Sequence, residues 1–105
     1  MIEKPERHRL RAHLDRLKTC PCCIPGCRSL SIDPHHLTHV QPKARGLKAG
    51  DQWAVPLCYH HHRASSPAGV HNRGMHARGG EAEWWRGHGI DPLAIAVREW
   101  AISNQ

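Results

Sequence analysis

Four cysteines crowd the stretch TCPCCIPGC at residues 19–27, and a fifth, Cys58, stands just before three histidines in LCYHHHR at residues 57–63. Two such groups drawn together form a clip, and the segment between them has to fold back on itself. An odd count of five does not suit a closed disulfide framework. The N-terminal run MIEKPERHRLRAHLDRLK is charged throughout and has no apolar stretch like that of a signal peptide, and no run reaches the length of a membrane span. These features predict a cytoplasmic protein without a membrane partner, where clustered thiols serve as metal ligands more often than as disulfides. At 105 residues the chain reads as one domain, residues 1–105, near the size where a single apolar core only just outweighs chain entropy. With four Trp, one Tyr and no Phe, against five Cys and eleven His, metal is the better source of additional stability.

The clip itself needs four soft ligands in a tetrahedron. Cys58 and His61 form one pair in Cys-x-x-His spacing. Cys27 belongs to the other pair, with either Cys22 or Cys23 as its mate, while Cys20 is too remote. The Pro25-Gly26 turn accommodates both spacings. The bland alternative is a set of buried thiols, but lone buried cysteines rarely arrive as paired clusters.

Around the clip the pattern is α+β. Residues 3–18 predict an amphipathic helix with Leu10, Leu14 and Leu17 on one stripe and Arg7, Arg9, Arg11, Arg16 and Lys18 as a solvated charged face. SIDPHHLTHV reads as a strand, QPKARGLKAG as a loop, and DQWAVPLC as a half-buried strand alternating Trp53, Val55 and Leu57, with Pro56 on an edge. A short helix from Tyr59 ends by Pro67 and Gly69, and EAEWWRGHG forms another. In the last helix Asp91 is the N-cap and Pro92 the first residue, and Leu93, Ala96, Val97 and Trp100 form the packing face. The core spans about residues 20–78 and the C-terminal helices about 80–103.

DPHHL sets two histidines side by side on a strand, where successive side chains point to opposite faces. One can hold a metal ion while the other, unligated and with an ordinary pKa of about 6.5, accepts a proton near neutrality. His62 follows the clip ligand His61 directly, so the clip brings it opposite His35. Two imidazoles make an open shell suited to a divalent ion that also binds a phosphate. His60 has no partner in this pattern and reads as a surface residue.

The ordered set of C…C, DPHHL, QPKARGLKAGDQWAVPLCYHHH, MHARGGEAEWW and GIDPL, from Cys20 to Trp100, resembles the HNH nucleases of the ββα-metal fold, particularly the small type often carried by phages and prophages. The resemblance implies a ββα-metal finger with a structural zinc clip, flanked by N- and C-terminal helices. It also implies one-metal hydrolysis of DNA phosphodiesters, with His36 as general base, His35 as metal ligand and His62 as the helix histidine that completes the motif. Where the family carries a further helix histidine this chain has Ser66. The H-x-x-G pattern recurs at His76, which becomes the third ligand, with His71 as its rival. Asp51 is the nearest match to the family's middle Asn, placed to orient the loop by accepting backbone hydrogen bonds. Mg²⁺ or Mn²⁺ is the implied working ion, with Ni²⁺ or Zn²⁺ as ions bound in its place in crystals, and no small-molecule cofactor is implied.

A net charge of +6 and a pI of about 9.5 suit a polyanionic partner, DNA foremost. Lys43, Arg45, Lys48 and Arg63 either steady the phosphate backbone, contacts that carry no sequence information, or serve as solvated loop charges. One such site nicks a single strand as a monomer, and a homodimer would bring two. The contrasting reading is a zinc-stabilised, non-catalytic DNA-binding module, although such a module needs neither of the adjacent histidines. A zinc deaminase is disfavoured, because H-x-E paired with P-C-x-x-C is missing.

Overall fold

A computed structural model of the chain describes residues 10–30, 32–38, 50–63, 65–72, 74 and 79–105. Helix α1, Arg11–Leu17, covers the C-terminal part of the first expected helix and buries His13 and Leu17. Pro25 and Gly26 then make a turn closed by the Cys27 N–H donating to the Ile24 carbonyl at 3.0 Å. Gly26 has φ 82°, the left-handed conformation required at the third position of a type II turn.

Strands β1, Ile32–His36, and β2, Ala54–Cys58, form a two-stranded antiparallel sheet in which Pro34 faces Pro56 and His35 faces Val55. Opposed prolines ask neither residue for an N–H, so the pairing loses nothing at that step. A 3-10 turn, Asp51–Trp53, leads into β2. All five residues of β2 are buried, which departs from the half-buried alternation the sequence suggests. The reason is that α1 and the last helix, α4 (Pro92–Ser103), both pack on this strand while the Cys23 N–H docks on the Pro56 carbonyl at 2.9 Å.

Helix α2, Tyr59–His62, lasts only four residues and stops well short of Pro67. Its end is fixed by the returning chain, since the Val70 and His71 amides donate to the His61 and His62 carbonyls at 2.8 and 3.3 Å. Those acceptors would otherwise be orphans of the helix terminus. Helices α3, Gly80–Gly87, and α4, Pro92–Ser103, complete the chain. Asp91 caps α4 as its sequence predicts, accepting from the Leu93 N–H at 3.0 Å.

Two parts of the sequence reading are corrected by the packing. In α4 the buried residues are Pro92, Ala96 and Glu99, whereas Leu93 and Val97 are exposed. What turns the helix is Arg16, read from sequence as part of a solvated face. Its Nη2 donates to the Glu99 side chain and carbonyl, both at 2.8 Å, and its Nε to Ser103 Oγ at 2.7 Å. His13 Nδ1 meets the same hydroxyl at 2.5 Å, so a polar seam joins α1 to α4. Among the described residues no helix is long and apolar enough to cross a membrane.

Candidate metal centres

The type II turn and the start of α2 bring Cys22, Cys27, Cys58 and His61 together, with one ligand atom from each inside 4.8 Å of the others. Cys27 Sγ lies 3.8 Å from Cys58 Sγ, and His61 Nδ1 lies 3.2 Å from Cys58 Sγ and 3.7 Å from Cys22 Sγ. A regular tetrahedron with zinc–sulfur bonds of about 2.3 Å has edges of about 3.8 Å between sulfurs and about 3.6 Å between sulfur and nitrogen. The four groups thus fit a metal ion such as zinc, and Cys22, not Cys23, is the mate of Cys27. Burial pushes the Cys22 thiol up to about 12 and does the same at Cys23. At Cys27 burial is outweighed by hydrogen bonds from Ser29 and the neighbouring thiols, and the thiol is lowered. His61 is held below its ordinary pKa by burial and by His60 and His88, which favours the neutral imidazole a metal requires. None of the five cysteines forms a disulfide.

A second group lies on the other side of α2. Helical rotation sends His62 away from the clip and toward His35 on β1, at a ring separation of 5.3 Å. His71, carried on the chain that returns to the end of α2, stands 5.1 Å from His35 and 4.8 Å from His62. The three offer ligand nitrogens within 4.8 Å of one another. His76 lies outside the described residues, as do Lys43, Arg45 and Lys48. The return of the chain depends on Gly69, where a Cβ would stand 2.0 Å from the Arg63 carbonyl oxygen.

Carboxylates back His35 and His62. The buried His35 donates from Nε2 to Glu81 Oε1 at 3.0 Å, and His62 donates from Nδ1 to Asp33 Oδ2 at 3.3 Å. Although burial opposes it, Glu81 is lowered to about 2 by its bonds from His35, Thr38 and Trp85. Asp33 is likewise lowered, with Arg63 and His62 outweighing burial. His62 is lowered by burial and by His35, which again favours the neutral ring. Neither Asp33 nor Glu81 is singled out by the sequence reading. The signal for Asp33 was its place next to Pro-His-His, but Glu81 joins β1 only through tertiary structure.

His36, the next residue on β1, is not among the three ligands. Its Nε2 donates to Asp51 Oδ1 at 2.7 Å, and the other carboxylate oxygen accepts from the Leu10 backbone N–H, also at 2.7 Å. Asp51 thus accepts a backbone bond from Leu10, the residue that precedes α1. Arg63 is exposed, lies 4.0 Å over the Tyr59 ring and pairs with Asp33 at 3.1 Å. An open cleft of about 670 Å³ is lined by Asp33, Pro34, His62, Arg63, Ser65 and His71. His60 bonds Ser66 Oγ at 3.1 Å and lies outside both groups.

Among curated proteins and among solved structures, none matches the chain. A family model described as "Protein of unknown function (DUF968)" matches residues 1–72, a span that holds both groups of ligands, His36 and Asp51 but not Glu81. That match covers more than half of the 105 residues, and the chain belongs to this family.

Proposed function

We propose that this chain is a metal-dependent DNA endonuclease built on a ββα-metal finger of the HNH type, with the cysteine–histidine clip as its structural zinc site. The observation that carries the reading is the division of labour between His35 and His36. One joins two other imidazoles, while the next residue carries its own carboxylate partner and no ligand role. A binding module has no use for that arrangement.

The chemistry follows from the hydrogen bonds. With Asp51 accepting from His36 Nε2–H, the lone pair is left on Nδ1, which takes a proton from a water molecule as that water attacks the phosphorus. Asp51 steadies the imidazolium that results, and the Leu10 amide holds Asp51. Arg63, at the edge of the cleft, steadies the phosphate backbone. The departing 3′ oxygen is protonated from solvent. A divalent ion on His35, His62 and His71 would polarise the phosphate and stabilise the departing oxygen. Three imidazoles suit nickel, zinc or iron better than magnesium, which prefers oxygen ligands. In this reading His71, the rival the sequence offered, serves as the third ligand, while His76, the first candidate, lies outside the described residues.

Supercoiled plasmid incubated with the protein and Ni²⁺, Mn²⁺ or Mg²⁺ tests the proposal. Nicking is expected with at least one ion, abolished by EDTA and reduced about 100-fold or more by His36→Ala. Unchanged nicking by that variant overturns the assignment of the base, and no cutting with any ion leaves the zinc-stabilised DNA-binding module.

A further inference from the structure

Glu81 stands outside the family-matched segment, yet it reaches the centre of the second histidine group. Its side chain is only 11% exposed. Among the described residues it accepts from His35 Nε2 at 3.0 Å, Thr38 Oγ1 at 2.9 Å, the Thr38 amide at 3.4 Å and Trp85 Nε1 at 3.2 Å. A shielded carboxylate is costly to keep unless its bonds are made, so this one is held firmly in place. Two glycines deliver it. Gly79 and Gly80 have φ 105° and 84°, and this left-handed turn sets Glu81 in the first turn of α3, beside the end of β1.

A neutral imidazole has one N–H and one lone pair. While Nε2–H of His35 donates to Glu81, the lone pair belongs to Nδ1. The negative charge one ring away also raises the basicity of that nitrogen. Asp33 does the same for His62, but at 30% exposure and shared with Arg63 it is the weaker support.

We propose that Glu81 is the positioning residue of the three-histidine centre, fixing the tautomer of His35 and thereby the affinity of the site for a divalent ion. The proposal rests on the reading of that centre as a metal site. The test uses the full chain with zinc in its clip. Nitrogen NMR of the histidine rings, with no second ion added, identifies the protonated nitrogen of His35, and a Ni²⁺ titration gives the affinity of the second centre. The wild-type ring is expected to carry its proton on Nε2. Glu81→Gln is expected to mix the tautomers and weaken Ni²⁺ binding about 10–100-fold while one zinc per chain is retained. Thr38→Val removes another donor to the same carboxylate and leaves the His35 bond, so its Ni²⁺ affinity is expected within about 3-fold of wild type.

A wild-type His35 protonated on Nδ1 overturns the proposal without any variant. So does Glu81→Gln with unchanged tautomer and affinity, or Thr38→Val as damaging as Glu81→Gln. A wild-type chain that binds no Ni²⁺ at this centre sinks the metal reading on which the proposal rests, whereas the NMR result bears on Glu81 alone.

Discussion

Replacing Gly69 with alanine puts the return of the chain onto α2 under direct test. The added Cβ would stand 2.0 Å from the Arg63 carbonyl oxygen and 2.9 Å from its carbon, about 1.4 Å short of the 3.4 Å at which ordinary van der Waals contact begins. Both obstructing atoms are backbone, so no rotamer change relieves the clash and the segment itself has to move. Movement on that scale breaks the Val70 amide bond to His61 and the His71 amide bond to His62. At about 1 kcal/mol net for each bond, with about 1 kcal/mol of overpacking added, the loss is about 3 kcal/mol. Alanine restricts the unfolded chain and returns about 0.4–1 kcal/mol, leaving about 2 kcal/mol of destabilisation. Thermal unfolding of the zinc-loaded protein should show a Tm lower by about 10 °C. Because His71 travels with the segment, Ni²⁺ binding at the three-histidine centre should weaken as well. Gly87→Ala is the control: nothing lies within 4 Å of its added Cβ, and a helical alanine should leave the Tm level or higher. A Gly69→Ala protein that melts within about 2 °C of wild type refutes the close approach and the delivery of His71 derived from it.

Removal of the clip metal should be more damaging still, because structural zinc contributes about 10–16 kcal/mol in small domains, as much as a whole domain's stability. Elemental analysis should find about one zinc per chain in wild type and in Cys23→Ser but not in Cys22→Ser, and equal zinc in both variants would contradict the geometry of the clip. Acidification should also destabilise. The folded His13 is held below 6.5 by burial and by Arg16, so the unfolded chain binds its proton first and stability falls as pH drops through about 6.5. Glu81 adds loss of the same sign between 4.5 and about 2. Urea midpoints measured between about pH 7 and 5 should fall less steeply in His13→Gln than in wild type, and equal slopes would remove His13 from the account.

Much of the chemistry was legible because it is encoded by type and spacing. Cys58 and His61 are three residues apart on one short helical turn, and His35 and His36 are neighbours on a strand, so local geometry alone assigns their directions. Whether Cys22 or Cys23 faces the metal was not legible, because it depends on how the type II turn sits against β2. There the Cys23 amide docks on Pro56 and leaves Cys22 facing the other ligands. The face of α4 was misread for a similar reason. Hydropathy favoured Leu93 and Val97, but Glu99 is drawn inward by Arg16, and an ion pair between residues 83 positions apart leaves no mark on local periodicity. Glu81 escaped notice because its partners, His35 and Thr38, lie more than 40 residues away.

The two ligand groups are mechanically unequal partners across α2. A four-residue helix is far below the length at which a helix persists by itself, so its geometry is borrowed from what holds its ends. At the start, Cys58 and His61 belong to the clip, and at the end the amides of Val70 and His71 close the last carbonyls. His62 points where it does only while both ends are held. His35 is anchored independently, by its pairing with Val55 and by Glu81. Loosening of the clip short of unfolding would therefore shift His62 and His71 before His35, whereas losing an ion from the three-histidine centre would leave the clip intact. The dependence runs in one direction, from the cysteine ligands to the histidine centre, which is the order the proposed function requires.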